Sequence, residues 1–486
     1  MKPWEEIERQ RHEVLAAWPT GAEVDLEEAV RYHHSLPRGR RFPEALREAC
    51  GMGRTLTQPR AGVAVLEDHI ALLRYLQDQG GADLLPTTVD SYTRHNRYAE
   101  AERGLRESRE KGRSLLNGLP VVNYGVKACR RIVEEMERPV QIRHGTPDAR
   151  LLAEISLAAG FTSFEGGAIS YSIPYAKAIS LERAIAYWQY VDRLVGWYAE
   201  RGVIINREPF GALTGTLVPP CIGHVVNILE ALLAADQGVR DITVGYGQCG
   251  NLVQDAAALF TLAELTRHYL DEFGYHQVTV TTALHQWMGA FPPSPTQAMA
   301  VISLGAMAAV VGLATKVITK SPEEALGVPT AQANAEGVKL TRSLIDLLAD
   351  QGLPAHLDFA EEAEVIRAEV RSIMAAVVRL GEGDLARGVV RAFEAGVLDV
   401  PFSPHRANRG LAMPVRDDRG AVRFLDFGNI PLPEDVKDYH RERVKQRGAR
   451  EGRLPGYEMV LDDVYAVQGA RLVGRPARPG PRSTAS

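Results

Sequence analysis

The chain has 486 residues, 45% of them hydrophobic and 24% charged, a globular composition that excludes wholesale disorder and allows one large core with extensions or two to three domains. Its 56 basic and 61 acidic residues give a formal net charge of -5, too balanced for a general binder of nucleic acid or acidic membranes, so small molecules are the expected partners. Cys50, Cys129, Cys221 and Cys249 lie far apart with no C-x-x-C pair; they indicate neither a zinc knuckle nor a disulfide framework and fit a reducing cytoplasm.

The N-terminus, MKPWEEIERQRHEV, is charged, helical in pattern and without the apolar core of a signal peptide, so export is not expected and residues 1–52 read as a helical lead-in. From residue 53 short apolar, β-branched runs recur, each followed by a polar or glycine-containing loop and a longer helical pattern. The strand candidates are TLTQPR (55–60), LLPTTVDS (84–91), PVVNYG (120–125), PVQIRHG (139–145), FTSFEGG (161–167), GVIINREP (202–209), DITVGYG (241–247), QVTVTTAL (277–284) and VVGLATKVIT (310–319). Helices such as 148–160, 181–202 and 251–274 sit between them, most ending on glycine. This alternation marks an α/β chain with parallel strands, and eight or nine such units over roughly 270 residues predict a (β/α)8 TIM barrel over 53–355. Nine candidates for eight places mean that one is misassigned or lies outside the barrel. The uncharged run Ala298 to Thr315 approaches the length of a membrane span, but its Gly/Ala content and β-branched second half favour a buried helix followed by a buried strand. A C-terminal extension, 356–470, begins with a helical stretch and continues through PFSPHRANRG and LPGYEM, and the Pro/Arg/Gly-rich tail 471–486 is expected to be disordered.

Charged residues at the strand ends carry the chemistry. Arg60, Arg94, Arg143 and Glu165 each stand at or just past the end of a different strand candidate, which in a barrel brings them to the C-terminal face where active sites are built. Three guanidinium forks suit a substrate with two carboxylates, and Glu165, beside Gly166 and Gly167, suits an ammonium group or a base. Any one of these arginines alone reads more readily as a structural ion pair; the set describes an acidic amino acid. Tyr171 and Tyr175, with Pro174 stiffening the loop between them, either bond a substrate and exclude water or merely cap the core. GYGQCG (245–250) has G-x-G-x-x-G spacing after a strand, yet no acid ends the next strand, so a glycine-rich barrel loop explains it as well as a dinucleotide site. Lys320, Ser321, Pro322, Glu323 and Glu324 have the chemistry of a helix start. The histidines offer no ligand set, so no protein-bound metal is expected.

The motifs QPRAGV, TRHNRY, LNGLPVVNYG, QIRHGTPDARLL, SFEGGAISYSIPYAK, WQYVDRLVG, INREPFGALTGTLVPP, ITVGYGQCGNL, HQWMGAFP and KSPEEA, in that order, resemble the epsilon subunit of glutamate mutase, also called methylaspartate mutase. The resemblance implies that Arg60, Arg94 and Arg143 clamp the two carboxylates of L-glutamate or 3-methylaspartate, with His144 beside them. It places Glu165 on the amino group, acting catalytically, and Tyr171 and Tyr175 around the pocket. Gly62, Asn117, Pro174, Phe291, Lys320, Glu324 and Val328 match positions lining the adenosylcobalamin side, with Lys320 and Glu324 at the adenosyl ribose. It further implies a radical isomerisation, a homodimer within a heterotetramer, and a small cobalamin-binding sigma subunit. That partner carries Asp-x-His-x-x-Gly; here the nearest string, Asp438 to Arg443, ends in arginine and reads as a solvated helix. Two departures, Tyr124 where the family usually has histidine and the less polar CIGH (221–224), bear on the exact substrate rather than the reaction class. The competing readings are a barrel enzyme using NAD or a phosphorylated substrate, resting on GYGQCG, and a catalytically silent regulatory or scaffolding homologue.

Overall fold

The structure, a computed structural model, describes residues 1–177, 179–211, 217–349, 351 and 359–475. Eight parallel strands form the barrel: β1 (Leu56–Gln58), β2 (Leu85–Thr88), β3 (Val140–Arg143), β4 (Ser163–Glu165), β5 (Asn206–Glu208), β6 (Asp241–Gly247), β7 (Thr279–His285) and β8 (Lys316–Ile318). Pairing runs without interruption from β2 to β8 and on to β1. The seam between β1 and β2 is bridged by the Leu84 N–H donating to Thr57 O and the Thr88 N–H to Ala61 O, both at 3.1 Å. The chain is therefore a (β/α)8 barrel, as the alternation of elements predicts.

Period-two alternation gives β3, β4 and β6 an apolar outer face and a polar inner one. Ile142, Phe164, Ile242 and Val317 are fully buried in the hydrophobic core. Their neighbours Gln58, Gln141, Ser163, Asn206, Thr243 and Thr281 form a hydrogen-bonded layer across the interior, with links of 2.8 to 2.9 Å from Gln58 to Gln141, Gln141 to Ser163, Ser163 to Asn206, Asn206 to Thr243 and Thr243 to Thr281. A polar interior survives burial because its donors find acceptors.

Three helices, Trp4–Ala16, Leu26–Ser35 and Phe42–Gly51, precede β1. The third closes the bottom of the barrel: the fully buried Phe42 lies under Lys316, whose Nζ is 4.9 Å from the ring centroid, and its N–H donates to Thr162 Oγ1 at 2.9 Å. After the barrel come helices Ala360–Gly381 and Leu385–Ala395, the antiparallel hairpin β9 (Met413–Arg416) and β10 (Val422–Asp426), and helices Glu434–Glu451 and Tyr457–Ala466. The boundary expected at 355/356 lies outside the described residues, as does most of the tail. Of the latter, Gly474 N–H donates to Asp463 at 2.9 Å and Arg475 pairs with Asp418 at 3.3 Å.

The surplus strand candidate is PVVNYG. Residues Val121–Glu135 form a helix beginning after Pro120, kinked at Gly125 where φ is +76°. Val121, Val122, Val126, Cys129, Ile132 and Val133 are its buried face, a 3.6-residue period that a six-residue window cannot reveal. The run at Ala298–Thr315 is helix Pro295–Val311 leading into β8, and no helix among the described residues is long and apolar enough to cross a membrane. The helix start read at Ser321 is instead a turn and one 3-10 turn, Glu324–Leu326; Gly327 at φ +120° breaks it, and the α-helix begins at Ala331. Nor is the Asp438 to Arg443 helix wholly solvated: His440 is buried, with Nε2 2.8 Å from Glu369.

The GYGQCG loop also resolves. The Cys249 and Gly250 N–H groups, which a bound phosphate would need, donate to the buried Asp255 carboxylate at 2.8 and 2.9 Å, and the Tyr246 hydroxyl donates to it at 2.8 Å. An internal anion fills the dinucleotide position. Asp255→Ala orphans all three donors and lowers stability by about 3 kcal/mol, read as a fall in Tm, while titration of the unaltered chain with NADH leaves the nicotinamide fluorescence unchanged.

Candidate active site

Strand register assembles the site. Ile142 pairs with Phe164, so Arg143 and Glu165 end β3 and β4 side by side, and Glu165 pairs with Glu208 at the end of β5. Above them opens a cavity of about 870 Å3, lined among others by Arg60, Arg94, Arg143, His144, Glu165, Tyr171, Pro174 and Tyr175. The clamp and pocket residues expected from the sequence thus share one space.

The arginines differ in how they are held. Arg143 is buried, with Nη2 2.6 Å from Glu165 and Nη1 donating to Gln141 Oε1 at 2.8 Å and to Glu208 at 3.3 Å. Arg94 is half-buried, and among the described residues its guanidinium makes one hydrogen bond, from Nε to Val89 O at 2.7 Å, leaving both terminal amino groups for a ligand. Burial, and then the neighbouring Arg60, lower the Arg94 pKa, so the two cations converge. Arg60 stands exposed at the mouth, with no side-chain partner among the described residues.

Glu165 carries the opposite sign into this field. Burial raises its carboxyl to about 7 against the pull of Arg143, and the adjacent Glu208 adds to the rise. The ion pair with Arg143 is out of line for a hydrogen bond, which leaves buried Oε2 without an aligned donor. Glu208 behaves differently: burial opposes its ionisation too, but Lys316 and Arg143 prevail and hold its pKa below the ordinary value. Lys316 pairs directly with Glu208 and donates to Gln58 at 2.7 Å, while burial lowers its pKa to about 8. The result is one fixed carboxylate beneath one poised near neutrality.

Arg207, the outward-facing neighbour of Glu208, fixes the backbone of Glu165. Its Nη1 donates to Phe164 O at 2.5 Å, Nη2 to Gly166 O at 2.7 Å and Nε to buried Asp192 at 2.8 Å. Glu230, raised to about 7 by burial, accepts from the N–H groups of Ile169 and Ser170 at 2.7 and 3.0 Å and from the Ser170 hydroxyl, anchoring the loop that carries the two tyrosines. Tyr171 is buried at the pocket wall and Tyr175 is exposed at the rim.

His144 stacks parallel to Trp188, centroids 5.8 Å apart, and its Nδ1 accepts the Thr146 N–H at 3.2 Å. The proton therefore sits on Nε2, which makes no aligned hydrogen bond among the described residues, and burial drives the ring's pKa well below its ordinary value. His285, at the end of β7, is also buried and kept neutral, mainly by burial and then by Arg143, with Nε2 making no hydrogen bond among the described residues and its ring against Phe210.

Of the residues matched to the cofactor side, only Pro174 lines this cavity. Lys320, Phe291 and Glu324 group together: Nζ of Lys320 is 2.8 Å from Glu324 and 5.6 Å from the Phe291 ring centroid, and its pKa falls to about 8 through burial and then Arg60. Gly62 lies against Thr88 and Gly118, where a Cβ would come within 2.6 Å of Thr88 O, and Asn117 accepts the Ser91 N–H at 2.9 Å. Val328 is 80% exposed and joins neither group. Among the described residues no cluster of His, Cys, Asp and Glu could hold a metal ion.

Sequence reasoning missed Glu208, Lys316, His285 and Arg207. Glu208 ends its strand as Arg143 and Glu165 end theirs, and Lys316 is a lone charge in the apolar run LATKVIT, so both had a readable signal. The two departures from the family pattern are structural and line no part of the cavity: the Tyr124 hydroxyl accepts the Leu66 N–H at 2.9 Å, and the buried His224 bonds Ala258 O at 2.8 Å.

A (β/α)8 barrel with a cationic pocket and one protonatable carboxylate at its C-terminal mouth is the class that fold and site define. Comparison with known proteins makes this particular: the chain matches the model of the methylaspartate mutase E chain (MutE) over residues 36–476 and belongs to that family of mutases. It is 59% identical over 476 residues to the glutamate mutase epsilon subunit of Desulfitobacterium hafniense (strain Y51), covering 98% of each chain. The epsilon subunits of Yersinia enterocolitica serotype O:8 / biotype 1B (54% over 468 residues, 96% of this chain and 97% of the relative) and Haloarcula marismortui (52% over 472 residues, 97% and 95%) are similar throughout.

Proposed function

We propose that this chain is the catalytic subunit of an adenosylcobalamin-dependent glutamate mutase, interconverting L-glutamate and L-threo-3-methylaspartate. The observation that carries the reading is the meeting of three arginines with a half-titrated, unaligned Glu165 in one cavity. Two carboxylates and one ammonium satisfy that set.

Arg60 and Arg94, whose terminal amino groups make no hydrogen bond among the described residues, take one or both substrate carboxylates. Arg143, held from behind by Gln141 and Glu208, presents its remaining donor to the cavity. A substrate carboxylate on Arg143 displaces Glu165, which is then free to meet the ammonium. His144 lines the same wall. Tyr171 and Phe210 exclude water, which strengthens every charge interaction in the pocket.

The residues present fit the cofactor. The cavity, about 870 Å3, is larger than a five-carbon amino acid fills, and Pro174 of the cofactor-side residues lines it. The Lys320–Glu324 pair offers a donor and an acceptor to vicinal hydroxyls beside the apolar Phe291 ring. When bound, the cofactor supplies the radical chemistry that removes a substrate hydrogen. This chain's part is to hold the rearranging fragments by their charges and keep them dry. A silent scaffold does not call for three arginines and a carboxyl converging in one cavity, and the Asp255-filled loop disfavours NAD.

This sequence has no Asp-x-His-x-x-Gly, so a small second subunit carrying that motif would hold the cobalamin and its cobalt. The purified chain with adenosylcobalamin alone is therefore inactive, and adding the cobalamin-binding subunit restores conversion of L-glutamate. Full turnover by the single polypeptide would refute the two-subunit reading.

A further inference from the structure

One wall of the cavity comes from outside the barrel. Phe402, in the PFSPHRANRG segment of the C-terminal extension, lines the same space as Arg60, Arg94 and Glu165. Its backbone has φ +62°, in the left-handed region where a bulky side chain is a genuine outlier and glycine is at ease. The ring is 43% exposed, so core burial does not account for an aromatic residue in this conformation.

The surrounding loop is built to impose it. The Asp399 carboxylate accepts the N–H groups of Gly410, Leu411 and Ala412 at 2.7, 2.6 and 2.8 Å, closing the loop at its base. Asn408 accepts from Val400 N–H at 2.7 Å and donates to Val400 O at 3.0 Å. Two further bonds stitch the loop to the barrel. Ser403 Oγ donates to Ile173 O at 2.5 Å, and His405 Nε2 donates to Ile179 O at 2.9 Å, its tautomer set by the Ala407 N–H on Nδ1 at 3.0 Å. These bonds grip the segment that carries Pro174 and Tyr175 at both ends. Strain that the surroundings over-determine, in a side chain facing a ligand cavity, belongs with function rather than with stability.

We propose that Phe402 is a wall residue of the substrate cavity, set at a strained angle by the 399–412 loop so that its ring shields the arginine clamp from water. The proposal rests on reading the cavity as the L-glutamate pocket. Tyr171 and Phe210 already exclude water from the pocket wall; a further aromatic ring at the partly exposed rim lowers the local dielectric there without competing for the carboxylates.

Phe402→Gly separates the two roles, because glycine accepts the backbone angle and removes only the ring. In the complex assembled with the cobalamin-binding subunit and adenosylcobalamin, this variant raises KM for L-glutamate about tenfold, while the Tm of the chain stays at or above that of the unaltered protein. Phe402→Leu, which keeps an apolar side chain, regains most of the loss. Arg143→Lys is measured alongside. Normal kinetics in Phe402→Gly with a damaged Arg143→Lys overturn the wall assignment and leave the pocket standing; normal kinetics in both overturn the pocket reading and the proposal with it. A Tm that falls in step with activity in Phe402→Gly makes the residue structural and also overturns the proposal.

Discussion

Glu165→Gln lowers kcat by about a hundredfold while KM for L-glutamate changes far less. Glutamine keeps the shape and the hydrogen-bonding reach of the side chain, so Arg143, Gln141 and Glu208 stay in place beneath it. What disappears is the charge opposite the substrate ammonium. The pH profile gives an independent reading. Burial raises the Glu165 carboxyl to about 7, so its ionised fraction, and kcat/KM with it, rises with pH through that value in the unaltered enzyme. Glutamine does not titrate, and the limb vanishes. The same substitution leaves Tm unchanged or higher: a carboxyl whose pKa is raised on folding loses stability as pH climbs from its ordinary value through about 7, and glutamine escapes that loss. A purely structural Glu165 would do the reverse, lowering Tm while the surviving folded enzyme turned over normally.

Replacing Arg60, Arg94 or Arg143 by lysine keeps the charge and removes the fork. Each exchange costs about 1.5–3 kcal/mol in kcat/KM, roughly 10- to 150-fold. Arg143→Lys is the most severe. Its guanidinium spans Glu165, Gln141 and Glu208 at once, and a single ammonium cannot both stay on that support and present a donor to the cavity. Arg60, exposed and without a protein partner among the described residues, changes substrate binding with the least disturbance to Tm. Steady-state kinetics and melting curves on all three variants check the ranking, and near-normal kcat/KM throughout would remove the clamp.

Much of this was legible in the sequence because strand ends and barrel faces follow from local pattern. Arg143 and Glu165 could be placed together from FTSFEGG and PVQIRHG alone, since each ends a short β-branched run and all barrel strands point the same way. PVVNYG was misread because two valines and a proline resemble a strand until the apolar positions at 126, 129, 132 and 133 extend the period. GYGQCG looked open to a phosphate because the anion that fills it, Asp255, reaches back from the first turn of the following helix. Lys316 stood out as a lone charge in an apolar run, but its partners Glu208 and Gln58 come from β5 and β1, distant in sequence. Phe402 had no local signal. Its place in the cavity that Arg60 also lines depends on a loop more than three hundred residues downstream folding back over the barrel mouth, tied there by the bonds to Ile173 and Ile179.

The most direct measurement is proton NMR of L-glutamate incubated with the chain, the small cobalamin-binding subunit and adenosylcobalamin. The account predicts a new methyl doublet from 3-methylaspartate, growing to the same equilibrium ratio when the reaction is started from 3-methylaspartate instead. An assembled, folded complex that leaves L-glutamate untouched and isomerises a different acid would contradict the assignment of this pocket.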